Sequence, residues 1–252
     1  MLAGLSVERI KLFSTKSPYW CLAVILLAVW GLSLAVSLAD HGHEATVFSS
    51  QTGSALGLMT FMVMAALTVT TEYRFGTIRN SFLAVPQRAL VLVSKTVLLA
   101  FTGAVVGGIA SLGAFYLAKG LASTPLTPLQ LQSAGDYRMV LGYCALYAIG
   151  AVLAIGVGTL IRQSAGAISI LLLWPLLVET LLMLIKSFQK VVPWLPFNAG
   201  FDFVNPGGNG GMFGRTQFIP GGPSAQQGLV IFLVTALVIW LLALVSLYRR
   251  DA

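Results

Sequence analysis

Six long apolar stretches alternate with short polar ones along the chain, near residues 18–39, 53–71, 91–117, 139–161, 165–185 and 228–248. Each supplies roughly the 20 helical residues that cross a ~30 Å hydrocarbon core. None shows the strict alternation over ~10 residues that a transmembrane β-strand requires. The expected fold is all-α: a polytopic membrane protein of six transmembrane helices, one domain over residues 1–252, with 1–17 as an interfacial helix. Arg9, Lys11 and Lys16 precede the first stretch and Ser37-Leu38-Ala39 ends it, as in a cleaved leader. Its apolar run is too long for that role and carries Trp30 in its middle, so an anchored helix is expected.

The polar connections carry the orientation. Ten of the 15 Lys and Arg residues fall at the termini or in the loops on the termini's side, against five on the other side. The positive-inside rule then makes both termini cytoplasmic, as expected for a multi-pass protein of the cell (plasma) membrane. Of the external loops, the first opens with Asp40–Glu44 (DHGHE), and the second spans 118–138. The third, 186–227, contains FNAGFDFVNPGGNGGMFG, whose glycines and prolines predict no regular helix. The interleaved Phe201, Phe203, Phe213 and Phe218 suggest either an interfacial cap with a partial re-entrant turn or a mobile loop. No internal repeat of the kind common in secondary carriers is visible.

The connection at 72–90 is the most distinctive. Thr70–Arg88 reads TTEYRFGTIRNSFLAVPQR, a polar insert between two apolar stretches. With Thr77 as N-cap and a stop before Pro86, a short helix forms on which Ile78, Phe82 and Val85 share one face. Arg79 and Leu83 share a second face, with Asn80 beside it, so Leu83 points away from the apolar stripe. Either Leu83 packs on its neighbours in a plain amphipathic loop, or this surface is gripped by another protein.

The order Glu72, Gly76-Thr77, Leu83, Pro86, Arg88, Lys95 resembles the membrane-subunit signature of type-2 ABC exporters. The N-terminal VERIKLFSTKSPYW, with Glu8, Lys11, Leu12 and Trp20, resembles the amphipathic helix that leads into the first span of that family. The resemblance implies that Thr77–Val85 is a cytoplasmic coupling helix between spans 2 and 3, seated in a separate ATPase subunit. Glu72, Gly76, Thr77, Arg79, Leu83 and Pro86 would form the coupling region. It also implies a second permease subunit, the same chain or a related one, and a central interface faced by the second and fifth spans.

Composition narrows the remaining choices. The chain is 57% hydrophobic and 9% charged, with a mean hydropathy of +0.88, which a soluble domain could not sustain. Its net charge of +7 is dispersed over short loops, with no basic and aromatic stripe, so nucleic acid is not an expected partner. Cys21 and Cys144 both lie in apolar runs, as small core thiols would. His41 and His43 share one loop with Asp40 and Glu44; a solvated loop end is expected there rather than a metal site. No arrangement of His with a nucleophile suggests catalysis. The nearest approach to a phosphate loop, Gly208–Thr216, lacks the Lys and the glycine spacing. No cofactor is expected on this chain; ATP and Mg would belong to the partner.

Glu179 is the one acidic residue well inside an apolar stretch, where an ionisable group costs ~2.5–3.5 kcal/mol on insertion scales. It either pairs with Lys186 or bonds a neighbouring helix, or it contacts a polar or cationic group in an outward cavity. Pro175, one turn earlier, is placed to kink this helix. Gly103, Gly107, Gly150, Gly156 and Gly158 suit close helix packing. In the second stretch Met59, Phe61, Met62 and Met64 form a soft apolar wall, with Thr60 and Thr68 adding hydroxyls. Met59, Phe61, Met62, Thr68 and Glu179 are the candidates for a substrate path, although core or lipid packing explains each Met and Phe equally well. The function expected from the resemblance is export of a hydrophobic small molecule, a drug or antibiotic, or of a lipid. The alternatives are a non-transporting partner protein, such as an immunity or assembly factor, and a proton-driven carrier titrating Glu179.

Overall fold

The computed structural model describes residues 2–39, 46–77, 88–121, 129–205 and 222–249. Among them every regular element is helical. In chain order these are α1 (Leu2–Ser14), α2 (Ser17–Ala39), α3 (Val47–Ser50), α4 (Ser54–Arg74), α5 (Arg88–Leu121), α6 (Ala134–Ile161) and α7 (Ser164–Leu173). A π turn (Trp174–Val178) leads into α8 (Glu179–Leu184). Two short 3-10 turns, α9 (Pro196–Val204) and α10 (Ala225–Arg249) follow. Six helical segments are long and apolar enough to cross a membrane: α2, α3 with α4, α5, α6, α7 with α8, and α10.

The helix ends reflect local chemistry that hydropathy does not report. The fourth span begins at Ala134, five residues before the apolar run, because Ser133 and Asp136 form a capping box. Ser133 Oγ accepts the Asp136 N–H at 3.1 Å, and Asp136 Oδ2 accepts the Ser133 N–H at 2.8 Å. Thr46 and Ser49 cap α3 in the same way. A turn at Gln51–Gly53 then separates α3 from α4 within the second span.

The spans are not equivalent. The second and fourth have 67% of their apolar windows buried, the third 33%, and the first, fifth and sixth 22% each. The bundle is thus built around α4 and α6, with α2, α5, α7 and α10 arranged about them. The second span is a central helix of its own chain. Small residues permit this closeness. A Cβ on Gly103 would lie 2.8 Å from the Phe61 ring and from the Tyr147 carbonyl oxygen. One on Gly107 would lie 2.7 Å from the Tyr143 carbonyl oxygen, so α5 and α6 touch backbone to backbone. Gly150, Gly156 and Gly158 likewise face Leu58, Trp240 and Ala66.

Polar side chains inside the bundle bond to backbone or to one another. Trp30 Nε1 donates to the Ala110 carbonyl at 3.0 Å, Tyr147 Oη to Ser54 O at 3.2 Å, and Trp240 Nε1 to Thr96 Oγ1 at 2.9 Å. Such bonds tie one span to the next where apolar contact with lipid would serve equally well, and so they help select this packing. The bundle has two ends. The near end carries α1, the α4–α5 connection, the α6–α7 turn and Arg249; the far end carries the other three connections.

Candidate functional site

Four ionisable residues from three helices meet at the near end. Lys95, on α5, places Nζ 2.9 Å from Glu8 Oε2 of α1 and 2.9 Å from Glu72 Oε1 of α4. It also donates to the Thr68 carbonyl oxygen at 3.3 Å, so all three ammonium protons have acceptors. Lys11 Nζ lies 3.0 Å from Glu8 Oε1 and 3.3 Å from Glu72 Oε1, closing the network from outside. Two carboxylates and two ammonium groups balance, and this allows Glu8 and Lys95 to be 6% and 5% exposed. Burial raises the affinity of the Glu8 carboxyl for a proton, but Lys95 and Lys11 outweigh it and hold Glu8 below its ordinary range. Burial alone would lower Lys11, yet Glu72 and Glu8 raise it above its ordinary value.

The last turn of α4 is held from a second side. Ser164 Oγ donates to Thr70 Oγ1 at 3.0 Å. The Arg162 guanidinium lies 5.0 Å from the centre of the Tyr73 ring. Arg162 ends α6 in the left-handed conformation, φ 57°, where its N–H still reaches the Gly158 carbonyl. Glu72 and Tyr73 are therefore fixed by α1, α5 and the α6–α7 turn together. Directly beyond, Phe75, Gly76 and Thr77 are exposed, and Gly76 has φ 68°. That left-handed residue closes the C-terminus of α4 and turns the chain out of the helix axis. Arg79, Leu83 and Pro86 lie outside the described residues.

Sequence reasoning had singled out Glu8, Lys11, Glu72 and Lys95, but in two separate segments; the structure brings them to one point. It had not singled out Thr70, Tyr73, Arg162 or Ser164. Arg162 had a sequence signal, being a charge in the three-residue gap between two apolar stretches.

The substrate-path candidates of the second span are packed within the described part of the chain. Met59, Phe61 and Met62 are 3%, 0% and 0% exposed and belong to the core of the chain. The Phe61 ring lies 5.6 Å from that of Tyr147, and Met62 packs where Gly150 leaves room. Thr60 and Thr68 turn their hydroxyls onto their own helix, to Leu56 O at 2.9 Å and Ala65 O at 2.7 Å.

Glu179 lies apart, toward the far end, and is 2% exposed. Its Oε1 accepts from Trp174 Nε1 at 3.2 Å and from the Phe197 N–H at 3.1 Å. Its Oε2 accepts the Asn198 N–H at 2.8 Å and Asn198 Nδ2 at 2.6 Å. Of the two structural expectations, bonding to a neighbouring helix is the one observed, because its partners are on α9 and the π turn, and Lys186 is exposed. α9 also corrects the expectation that the segment beginning at Phe197 holds no regular helix. Its start is supplied by Glu179, which no local pattern announces. The remainder of that loop, 206–221, and Asp40–Glu44 with His41 and His43 lie outside the described residues. Among the described residues no group of His, Cys, Asp and Glu is arranged to hold a metal.

Six apolar spans, two of them central, with the charges of the described residues near the ends apart from one internally bonded carboxylate, define a multi-pass α-helical membrane protein. Compared with protein-family models, curated proteins and solved structures, the chain matches none.

Proposed function

We propose that this chain is the membrane-spanning permease subunit of an ATP-driven exporter, similar to type-2 ABC permeases. The observation that carries the reading is the ion network. Glu8 and Lys11 belong to one segment of the resemblance and Glu72 and Lys95 to the other, and all four meet at the last turn of α4, from which the polar insert continues. A partner pressing on residues 77–85 acts on the last turn of α4, which is tied to three neighbours and continues as a central helix of the bundle. A push at the near end is therefore delivered to the core rather than absorbed in a loose loop.

In this reading the near end is cytoplasmic, in keeping with its ten basic residues. ATP and Mg bind a separate cytoplasmic subunit, and two permease chains, identical or related, complete the assembly in the cell membrane. The cargo is an apolar small molecule such as a drug or antibiotic, or a lipid, taken from the cytoplasm or inner leaflet. Glu179 favours this over a proton-driven carrier. Both its oxygens accept from fixed N–H groups, as suits a carboxylate that caps a helix, and none of these donors lies on α4.

The test is co-expression with a candidate P-loop ATPase and purification through a tag on the permease, comparing wild type with Leu83→Asp. The expected result is that the ATPase follows the wild type, and that Leu83→Asp releases it or uncouples its turnover. An ATPase that never follows the wild type in gentle detergent, or that follows both chains with equal coupling, overturns the proposal.

A further inference from the structure

Two irregularities near the far end, a π turn inside a span and a short helix in an unpromising sequence, meet at Glu179. The N-cap of α9 is Leu195, which has no side-chain acceptor, so the helix cannot satisfy its own first N–H groups. Glu179, 18 and 19 positions upstream, accepts those of Phe197 and Asn198. Further along, α9 meets other spans through apolar contacts and through the Arg138 guanidinium of α6, which lies 5.9 Å from the centre of the Phe203 ring. The Phe197 ring is 5.5 Å from that of Phe232 on α10, Gly200 lies against Phe232, and Gly228 against the Ala199 carbonyl. Phe203 and Val204 fill the space left by Gly142 on α6.

α9 thus rests on the sixth span through apolar contact and on the fourth through apolar contact and Arg138, and Glu179 ties its N-terminus to the fifth. The π turn sets the direction of that tie. Around Pro175 the hydrogen bonding widens, and the Glu179 N–H donates to the Trp174 carbonyl, five residues back. An uninterrupted α-helix would rotate Glu179 by ~100° and carry its carboxylate off α9.

We propose that Glu179 is a clasp that closes α9 over the far end of the bundle, aimed by the π turn at Trp174–Val178. This inference rests on the fold alone and stands or falls independently of the exporter reading. Without the carboxylate, the first N–H groups of α9 lose their acceptors in an apolar setting, and the helix lifts from its bed while the spans stay packed. A hydrogen bond to a charged group is worth roughly tenfold to a hundredfold in an equilibrium constant, and several are lost together.

The experiment measures thiol labelling by a membrane-impermeant maleimide, on the full chain in lipid nanodiscs, with Cys21 and Cys144 replaced by Ala. One reporter is Val204→Cys on α9, where the native side chain is 2% exposed. The control is Val140→Cys on α6, 0% exposed and packed with Phe115, Ala118 and Leu129 in a separate far-end cluster. Glu179→Ala is expected to speed labelling at position 204 at least about tenfold and to leave position 140 unchanged. Asn198→Ala, which removes one donor and leaves the span intact, is expected to give a smaller increase at position 204 alone. It decides the matter if Glu179→Ala does not fold. Unchanged labelling at position 204 in either folded variant, or equal acceleration at both positions, overturns the proposal.

Discussion

Lys95→Met tests whether the near-end network holds α1 to the bundle. The Lys95 side chain is 7% exposed, and its three donors reach Glu8, Glu72 and the Thr68 carbonyl. Met keeps most of the volume and removes the charge. Glu8, itself 7% exposed at its side chain, is left with Lys11, whose own side chain is 39% exposed and screened by water. Removing one member of a buried pair costs about 3–5 kcal/mol, most of it from the stranded partner. Lys11→Met removes the outer member and is expected to cost below about 1 kcal/mol. Adding Glu8→Gln to Lys95→Met removes the stranded charge. The double variant is then expected to be less destabilised than the sum of its parts by about 1–3 kcal/mol. Reversible unfolding in mixed detergent micelles, followed by circular dichroism, measures wild type, the three single variants (Lys95→Met, Lys11→Met and Glu8→Gln) and the double variant. Equal costs for Lys95→Met and Lys11→Met would refute the reasoning, as would strict additivity in the double variant.

The same network predicts a pH response. The carboxyl of Glu8 is held below its ordinary value of 4.5, so the stability it contributes is complete above that value and is lost as pH falls through the depressed folded value. Lys11 is raised above 10.5, so its contribution is complete below that value and is lost as pH rises through the folded value. Unfolding midpoints should therefore be level between these limits and fall on acidification, and Glu8→Gln should flatten the acid limb. An acid limb identical in Glu8→Gln removes Glu8 as its source. In the core, Gly107→Val sets side-chain atoms against the Tyr143 carbonyl and the Tyr147 ring and should cost at least about 1–3 kcal/mol. The same change at Gly120, where nothing lies within 4 Å of an added Cβ, serves as the control in the same assay.

How much of this was legible beforehand follows from the solvent. In lipid every backbone N–H and C=O must find its partner within the segment, so a run of about 20 apolar residues can only be a helix. The six spans were accordingly readable to within a few residues, except where capping boxes start the second and fourth early, at α3 and α6. Glu179 was readable as an exception, because an apolar segment does not tolerate a charge without partners, whereas Glu72 and Lys95 stood out through the resemblance. Their partners were not readable. Glu8 and Lys95 are 87 positions apart, and nothing in either segment specifies which of several near-end cations a carboxylate will meet.

Tertiary structure decided the rest. Hydropathy assigns Met59, Phe61 and Met62 to a span, but lipid and protein interior are equally apolar, so it does not say which of them they face. The small glycines of α5 and α6 bring Tyr147 and its neighbours over the second span, and only that packing makes it central. α9 is the clearest case. Asn198, Gly200, Asp202 and Val204 make Pro196–Val204 a poor helix by propensity, although Pro196 suits its first position. It forms because a carboxylate on another helix, turned into place by a π turn, accepts the hydrogen bonds that the segment cannot satisfy for itself.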